Sequence, residues 1–245
     1  MTDRPRDLDQ QVVLVAGASS GMGRATAIAA ANAGATVVIA ARNRAALDEV
    51  AANLQATAAK VLAIPTDMTS PDAVTALIDA AQRECGRIDA VVNTVGTNIP
   101  RRALDELTPA SWSGVIATNL TAAFHLTRTI VPVFRAQGGG LLIHVSSSAA
   151  RKPDQSGVAY QATKAGLVGL AHGSMEEERH HGLRTTVIFP GLTDTPMVEK
   201  RPTPTPPDVL RHALQAEDIA AACLFVIRLP SRAHVPELLL YPSRL

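Results

Sequence analysis

Short apolar runs alternate with longer segments of helical periodicity through most of this chain, and that alternation is the strongest constraint on its fold. The predicted strands are Val12–Ala16, Thr36–Ala40, Val61–Ile64, Ala90–Asn93, Leu141–Val145, Thr185–Phe189 and Leu238–Leu240. The predicted helices are Met22–Ala33, Arg44–Thr57, Pro71–Cys85, Pro109–Arg135, Gly157–His181 and Glu217–Ile227. Such alternation is typical of an α/β fold in which right-handed crossovers carry helices to both faces of a parallel sheet. We therefore predict one domain over residues 1–245, a Rossmann-like doubly wound parallel sheet of about seven strands.

Composition fits buried parallel strands and argues against several kinds of partner. Apolar residues make up 47% of the chain and aromatic residues only 3%, so the core is expected to consist of Ala, Val, Leu and Ile. The formal net charge of +1 gives no indication of a nucleic-acid partner or of an anionic membrane. The first ten residues are charged, and no run approaches the ~18 apolar residues of a membrane span. We expect a soluble cytoplasmic protein.

The cysteines and histidines give no indication of a metal site. Cys85 and Cys223 both lie in predicted helices, where a free cysteine is usually a small buried apolar residue. Neither has a partner at a metal-ligand spacing. His180 and His181 end a predicted helix, where a cation suits the helix dipole. No metal is expected.

Helix ends carry their own sequence signals. Ser70 before Pro71, and Thr108 before a second proline, are typical of an N-cap followed by proline in the first turn. Gly34 and Gly86 follow predicted helices, where a left-handed residue is expected.

The segment Gly191–His212 is rich in proline and has no long regular periodicity, which excludes a continuous helix or a central strand. It is either a surface loop stiffened by proline or a lid over a ligand. Because it follows the sixth predicted strand at the carboxyl edge of the sheet, the lid is the favoured interpretation, at about residues 191–212.

A glycine-rich turn joins the first predicted strand to the first predicted helix. Gly17 permits the tight turn, Gly21 lets the backbone approach a pyrophosphate, and Gly23 lets helix and strand pack closely. The helix N-terminus then presents free N–H groups and a positive dipole end to phosphates. The turn predicts a dinucleotide-binding site.

Tyr160 and Lys164 stand four residues apart on one predicted helix, so they share a face. An ammonium near a phenol favours the phenolate and is expected to bring the pKa of Tyr160 towards neutrality. Such a pair can pass a proton while a dinucleotide passes a hydride, and together they suggest interconversion of an alcohol and a carbonyl.

The spacing Gly-x-x-x-Gly-x-Gly and the pair Tyr-x-x-x-Lys resemble the short-chain dehydrogenase/reductase family, and the resemblance covers about residues 10–242. Further matches are Asp67, the segment 93–96, Asn119, Ser147, and Pro190-Gly191 with Thr195 beyond. Two departures are Thr94 and Val95, where the family has a second asparagine and an alanine.

The resemblance implies catalytic roles for four residues. Tyr160 is the general acid/base, and Lys164 lowers its pKa and holds the nicotinamide ribose. Ser147 hydrogen-bonds the substrate carbonyl oxygen. Asn119 holds a water against Lys164 and completes a proton route.

The turn and the resemblance together predict the residues that contact the cofactor. These are Gly17, Ser19, Ser20, Gly21, Met22, Gly23, Arg42, Asp67, Met68, Asn93, Gly96, Tyr160, Lys164, Pro190, Gly191, Thr193 and Thr195. The resemblance also suggests pocket-wall residues, namely Asn98, Ile99, Leu192 and Met197.

The end of the second predicted strand decides the cofactor. Ala41 occupies the position that is usually acidic in NAD-dependent enzymes, and Arg42 follows it. An arginine there can pair with a 2′-phosphate, so NADP(H) is favoured over NAD(H), with Asn43 or Arg44 as possible helpers. The alternative is that Arg42 is an ordinary surface arginine.

These features favour an NADP(H)-dependent reductase or dehydrogenase that acts on a small-molecule carbonyl or alcohol. The alternative is a non-catalytic dinucleotide-binding module, which has no need of Ser147, Tyr160 and Lys164 together. Arg151 and Lys152 are interpreted as a solvated surface pair, with contact to an anionic substrate group as the alternative. Two long predicted helices are rich in apolar residues, and the resemblance implies that they pair with a second copy across a two-fold axis, so a homotetramer or homodimer is expected.

Overall fold

A fully parallel, seven-stranded sheet forms the centre of this computed structural model, which describes residues 8–55, 57–58 and 60–244. The first seven residues, on which the expectation about the N-terminus partly rests, lie outside the described residues, as do residues 56, 59 and 245. The strands of this sheet are β1 (Val12–Ala16), β2 (Thr36–Ala41), β3 (Lys60–Pro65), β4 (Ala90–Asn93), β5 (Gly140–Val145), β6 (Leu183–Pro190) and β9 (Glu237–Leu240). Their spatial order is β3-β2-β1-β4-β5-β6-β9. The predicted doubly wound sheet is confirmed.

The helices lie in two layers, one on each face of the sheet. They are α1 (Gly21–Asn32), α2 (Arg44–Leu54), α3 (Pro71–Cys85), α4 (Pro109–Ile116), α5 (Ala122–Gln137), α6 (Val158–Glu178), α7 (Pro207–Leu210) and α8 (Ala216–Ile227). Alternate residues of β1 point to opposite layers, as the period of a strand requires. Val13 and Val15 pack in the core formed with α1 and α8, whereas Leu14 packs with α3 and α5.

The predicted helix ends are confirmed. The Ser70 hydroxyl accepts a hydrogen bond from the Ala73 N–H at 3.3 Å, and Thr108 forms a reciprocal capping box with Ser111. Gly34 and Gly86 both have positive φ. These caps fix where α3 and α4 begin, and therefore which residues of each helix face the sheet.

The prediction of one helix over Pro109–Arg135 is wrong in one respect. A π-helical turn at Ala117–Thr121 separates α4 from α5. The wider turn directs the side chain of Asn119 inward, where it is fully buried and hydrogen-bonded to the backbone of Thr97. Apolar periodicity does not report such a turn, because the residues on either side of it stay helical.

The proline-rich segment is irregular, as predicted, but its base is ordered by two short strands that the sequence did not indicate. In β7 (Thr193–Asp194) and β8 (Leu214–Gln215), Thr193 pairs with Leu214 and Asp194 with Gln215. Between them lie a 3₁₀ turn, Pro196–Lys200, and the short helix α7. Strands of two residues carry no periodicity that could reveal them.

Within the described residues, no helix combines the length and the apolar character needed to cross a membrane.

Candidate active site

The glycine turn is built between the end of β1 and the start of α1. Gly17 has a φ of +87°, which only glycine adopts at little cost. A Cβ on Gly23 would lie 2.3 Å from the carbonyl oxygen of Gly17, so a side chain there would force α1 away from the turn. The Thr94 hydroxyl donates to the Ala16 carbonyl at 2.8 Å, which ties the loop after β4 to this turn. Thr94, which stands where the family has asparagine, therefore makes a hydrogen bond that stabilises the turn.

The turn forms one wall of a larger cavity of about 610 Å³ at the carboxyl edge of the sheet. This edge lies beside β1 and β4, where the strand order reverses and where open α/β sheets bind ligands. The side chain of Ser20, the N-cap of α1, makes no hydrogen bond to the first helical turn. The first N–H groups of α1 and its positive dipole end are therefore left to interact with an anion. The remaining predicted cofactor residues on this wall are Ser19, Gly21, Met22, Arg42, Asp67, Met68, Gly96 and Thr195.

A smaller cavity of about 100 Å³ holds the predicted catalytic hydroxyl groups. Ser147 and Tyr160 line it, together with the predicted residues Pro190, Gly191, Thr193, Asn98, Leu192 and Met197. The predicted wall residue Ile99 is not among its lining residues. Met22, Thr195 and Met197 line both cavities, so the two spaces meet at these side chains.

Lys164 is buried beneath the loop after β4. Its Nζ donates to the Val145 carbonyl at 3.0 Å and lies over the Tyr160 ring, 5.6 Å from the ring centroid. Burial lowers the pKa of Lys164 to about 8. A Cβ on Gly96 would be 3.2 Å from this Nζ and 3.6 Å from Oδ1 of Asn119. Lys164 and Asn119 therefore lie together under Gly96, although neither lines the cavities directly.

The expected lowering of the Tyr160 pKa is not met in this structure. Burial raises the pKa of Tyr160 to about 12, and its hydrogen bond with Ser147 opposes this shift only in part. The ammonium of Lys164 lies over the ring and donates to the Val145 carbonyl, and in the described part of the chain no hydrogen bond joins it to the phenol oxygen. The phenol is therefore held in its protonated form.

Asn119 is fixed by three hydrogen bonds from its position in the π-helical turn. Its Oδ1 accepts from the Thr97 N–H at 2.7 Å. Its Nδ2 donates to the Thr97 carbonyl at 3.0 Å and to the Thr163 hydroxyl at 3.1 Å. Asn119 thereby joins the loop after β4 to α6, the helix that carries Tyr160 and Lys164.

Asn93 is a predicted cofactor residue that lies below the cavity wall rather than on it. Its Oδ1 accepts from the Val95 N–H at 3.1 Å, and its Nδ2 donates to Nδ1 of His144 at 3.1 Å. Burial, with a smaller contribution from the charge of Lys164, lowers the pKa of His144 to about 4. The neutral ring can accept from Asn93. Sequence reasoning missed this partnership, because Asn93 and His144 lie on different strands and meet only in the folded sheet.

Arg42 is exposed on the wall of the larger cavity. The two helpers considered beside it have other partners. The Asn43 side chain caps α2 by accepting from the Ala46 N–H at 3.1 Å, and Arg44 pairs with Asp48 at 3.0 Å. Arg42 makes no hydrogen bond or ion pair with another described side chain, so its guanidinium can meet a ligand.

Asp67 stands on the same wall in an environment that favours its ionised form. Its Oδ1 accepts from the backbone N–H and the hydroxyl of Thr69, at 3.0 and 2.8 Å. These hydrogen bonds lower the pKa of Asp67, and the charge of Arg42 adds to the effect. The carboxylate is therefore charged and held in one orientation.

Arg151 and Lys152 line neither cavity. Arg151 is paired with Glu237 and lies over the Phe189 ring, 4.8 Å from its centroid. Both residues are exposed, in agreement with the surface interpretation.

Sequence reasoning missed three charged residues of the smaller cavity, Arg102, Asp154 and Arg201. No motif marks them, because they come from separate loops that only the folded chain brings together.

Comparison with known proteins agrees with this architecture. The model of the family described as short chain dehydrogenase matches residues 11–205. An uncharacterised oxidoreductase of Staphylococcus haemolyticus is 30% identical over 236 residues, which cover 96% of this chain and 99% of that protein.

Two solved structures are similar over nearly their whole length. The 3-ketoacyl-(acyl-carrier-protein) reductase of Brucella melitensis, complexed with NADH, has a TM-score of 0.88 at 25% identity, covering 97% of this chain and 99% of that one. A metagenomic short-chain oxidoreductase in complex with NADP has a TM-score of 0.83 at 30% identity, with coverages of 97% and 99%. The two relatives were solved with different nicotinamide cofactors.

Proposed function

This chain belongs to the short-chain dehydrogenase family, and on that basis we propose that it is an NADPH-dependent reductase of a small ketone or aldehyde. One observation carries the proposal. The cavity that holds the Ser147 and Tyr160 hydroxyl groups meets the glycine-walled cavity at Met22, Thr195 and Met197. A dinucleotide in the larger space can therefore reach a substrate in the smaller one.

The residues of the larger cavity fit a dinucleotide. The close contact of Gly23 with Gly17 packs α1 directly against the turn, so that the N-terminus of the helix lies where a pyrophosphate would bind. The uncapped N-terminus of α1 supplies N–H donors, and Arg42 supplies a cation for a 2′-phosphate. When bound, the nicotinamide cofactor supplies or accepts the hydride.

Tyr160 and Ser147 act on the oxygen of the substrate carbonyl. Because the Tyr160 pKa lies near 12, the phenol carries the proton that reduction requires and gives it to the oxygen as the alcohol forms. The Ser147 hydroxyl donates a hydrogen bond to the same oxygen and stabilises its developing negative charge. Lys164 donates to the Val145 carbonyl, and Asn119 accepts from the Thr97 N–H. These bonds fix the two side chains in position beneath Gly96.

The segment 191–212 acts in this proposal as a lid that belongs to the same domain as the sheet. Two hydrogen bonds from Lys200 support the assignment. Its Nζ donates to the Thr97 hydroxyl at 2.9 Å, and its carbonyl accepts from Nη2 of Arg102 at 2.6 Å. These bonds tie the segment to the loop after β4, and they support its proposed role as a lid. A cytoplasmic location is part of the same proposal.

The test is a screen of ketones, aldehydes and alcohols in which nicotinamide absorbance is followed with NADPH and with NADH. Turnover of a carbonyl compound that is faster with NADPH supports the proposal. Tight binding of either cofactor without turnover of any compound in a broad panel would instead support the non-catalytic module.

A further inference from the structure

The smaller cavity contains two arginines that the proposed reaction does not use. Arg102 is only 8% exposed, and Arg201 follows the 3₁₀ turn of the lid segment. Both line the same space as Tyr160. Arginine is almost never buried without a partner, so Arg102 requires an explanation.

The guanidinium of Arg102 is incompletely satisfied by the protein. Its Nη2 donates to the Lys200 carbonyl, but its Nε is buried and has no hydrogen-bond partner among the described residues. A buried donor left unpaired is costly, and a charged one more so. Burial lowers the pKa of Arg102, and the like charge of Arg201 lowers it further. An anion in this cavity would relieve both effects.

The charges that face the cavity do not cancel. Asp154 also lines it, and its Oδ1 already accepts from the Ser156 N–H at 2.8 Å. Arg201 donates to the Thr205 hydroxyl at 3.0 Å and has no carboxylate partner in the described part of the chain. The cavity lining therefore carries two positive guanidinium groups and one negative carboxylate, while the Tyr160 phenol is neutral.

The position of Arg102 relative to the reacting group is fixed by close packing. A Cβ on Gly157 would lie 2.7 Å from the Arg102 carbonyl oxygen and 2.9 Å from its Cβ. Gly157 is the N-cap of α6, and Tyr160 follows within the first turn of that helix. The Asn98 side chain strengthens this contact by donating to the Ser156 carbonyl at 3.0 Å. Arg102 is thus held against the N-terminus of α6, the helix that carries Tyr160 in its first turn.

We propose that the smaller cavity binds a carboxylate of the substrate through Arg102, with Arg201 as a second cation. The substrate class is then a small oxo acid or the corresponding hydroxy acid. A guanidinium matches the two oxygens of a carboxylate in plane, and a cavity of about 100 Å³ suits a short molecule. This inference rests on the proposed function and specifies its substrate.

The experiment compares short-chain oxo acids with their amides, which have the same shape but no charge. The wild-type kcat/KM for an acid should exceed that for its amide by about 10–100-fold, the usual gain from a charge-assisted contact. In Arg102→Gln this ratio should fall close to one, and in Arg201→Gln it should fall by a smaller factor. The matched control is Arg101→Gln, because Arg101 is exposed and pairs with Glu106 at 3.6 Å. The control should keep the wild-type ratio.

A wild-type ratio near one would overturn the inference, as would an unchanged ratio in Arg102→Gln. Because Arg102 is packed into the fold, Arg201→Gln provides a second, exposed position if the first variant fails to fold. Calorimetric binding of the acids and amides gives the same comparison without turnover. Charge-selective binding without reduction would overturn the proposed function alone. Reduction of acids and amides at equal efficiency would overturn the inference and keep the function.

Discussion

Nζ of Lys164 lies over the ring of Tyr160, 5.6 Å from its centroid, one helical turn further along α6. The same Nζ donates to the Val145 carbonyl at the end of β5, so the ammonium is anchored to the sheet. The two side chains are thus coupled through position rather than through a direct hydrogen bond. Burial raises the pKa of the Tyr160 phenol, so its hydroxyl carries a proton at neutral pH.

Replacing Tyr160 by Phe removes only the hydroxyl and should leave the fold and cofactor binding intact. We expect turnover of an active substrate to fall by about 10²–10⁴-fold, as for other lost general acids. Steady-state kinetics and the thermal midpoint are the measurements. The control is Tyr241→Phe, because Tyr241 is the only other tyrosine of the chain and is 52% exposed. Near-normal turnover in Tyr160→Phe would refute the assignment.

Arg42 and Ala41 should set the cofactor preference. The wild type should bind NADPH more tightly than NADH by about one to two decades, which corresponds to one charge-assisted contact. The double change Ala41→Asp with Arg42→Ala should reverse the preference, because it adds a repulsion and removes an attraction. Dissociation constants for both reduced cofactors provide the test.

The control for this exchange is Arg44→Ala, since Arg44 pairs with Asp48 on the surface of α2. It should leave the preference unchanged. A wild type that prefers NADH would show that Arg42 is an ordinary surface residue.

Stability should depend on pH through His144. Its pKa is about 4 in the folded chain against an ordinary 6.5, so the unfolded chain binds more protons between these values. The free energy of unfolding should therefore fall as the pH drops from about 6.5 towards 4. Protonation would also turn Nδ1 into a donor facing the Asn93 amide.

Urea unfolding at pH 5 and pH 7 measures this effect. The loss at pH 5 should be smaller in His144→Gln than in the wild type, while the exposed His212→Gln should behave like the wild type. An equal loss in all three proteins would assign the pH dependence to other groups.

Exposed apolar side chains on separate elements support assembly into a homotetramer. Phe124 on α5 is 47% exposed, whereas Phe225 on α8 is 52% exposed and Leu239 lies on the edge strand β9. Apolar side chains in such number, together with an outer edge of β9 that no other described strand pairs with, are usually covered by a partner. Light scattering at micromolar concentration should give a mass near four chains of 25.7 kDa. A monomer would contradict the prediction, and a dimer would restrict assembly to one face.

The sheet could be predicted from the sequence because its central strands are short, mostly apolar runs that are almost wholly buried. Residues 12–16 are one such run, and every residue in it is buried. The start of α3 was equally predictable, since the Ser70 cap depends only on residues next to it in the chain. Residues close to one another in sequence therefore determine the strands and helices and their order along the chain.

The charged lining of the smaller cavity could not be predicted in this way. Arg102 and Lys200 stand 98 residues apart in sequence and meet only because the segment 191–212 folds back against the loop after β4. The raised pKa of Tyr160 was missed for a related reason, because spacing on a helix reports proximity to Lys164 but not burial. Contacts between distant loops determine these features, and no periodicity encodes them.

The π-helical turn at Ala117–Thr121 makes chain length itself a constraint on this enzyme. A π-helical turn holds one residue more than an α-helical turn, so removing a single residue from it would let α4 and α5 join as one continuous helix. Leu126 and Ile130 would keep their phase relative to the sheet, whereas Asn119 would lose the inward position in which it bonds Thr97. A one-residue deletion here would thus leave the core in place and withdraw the asparagine from beneath Gly96.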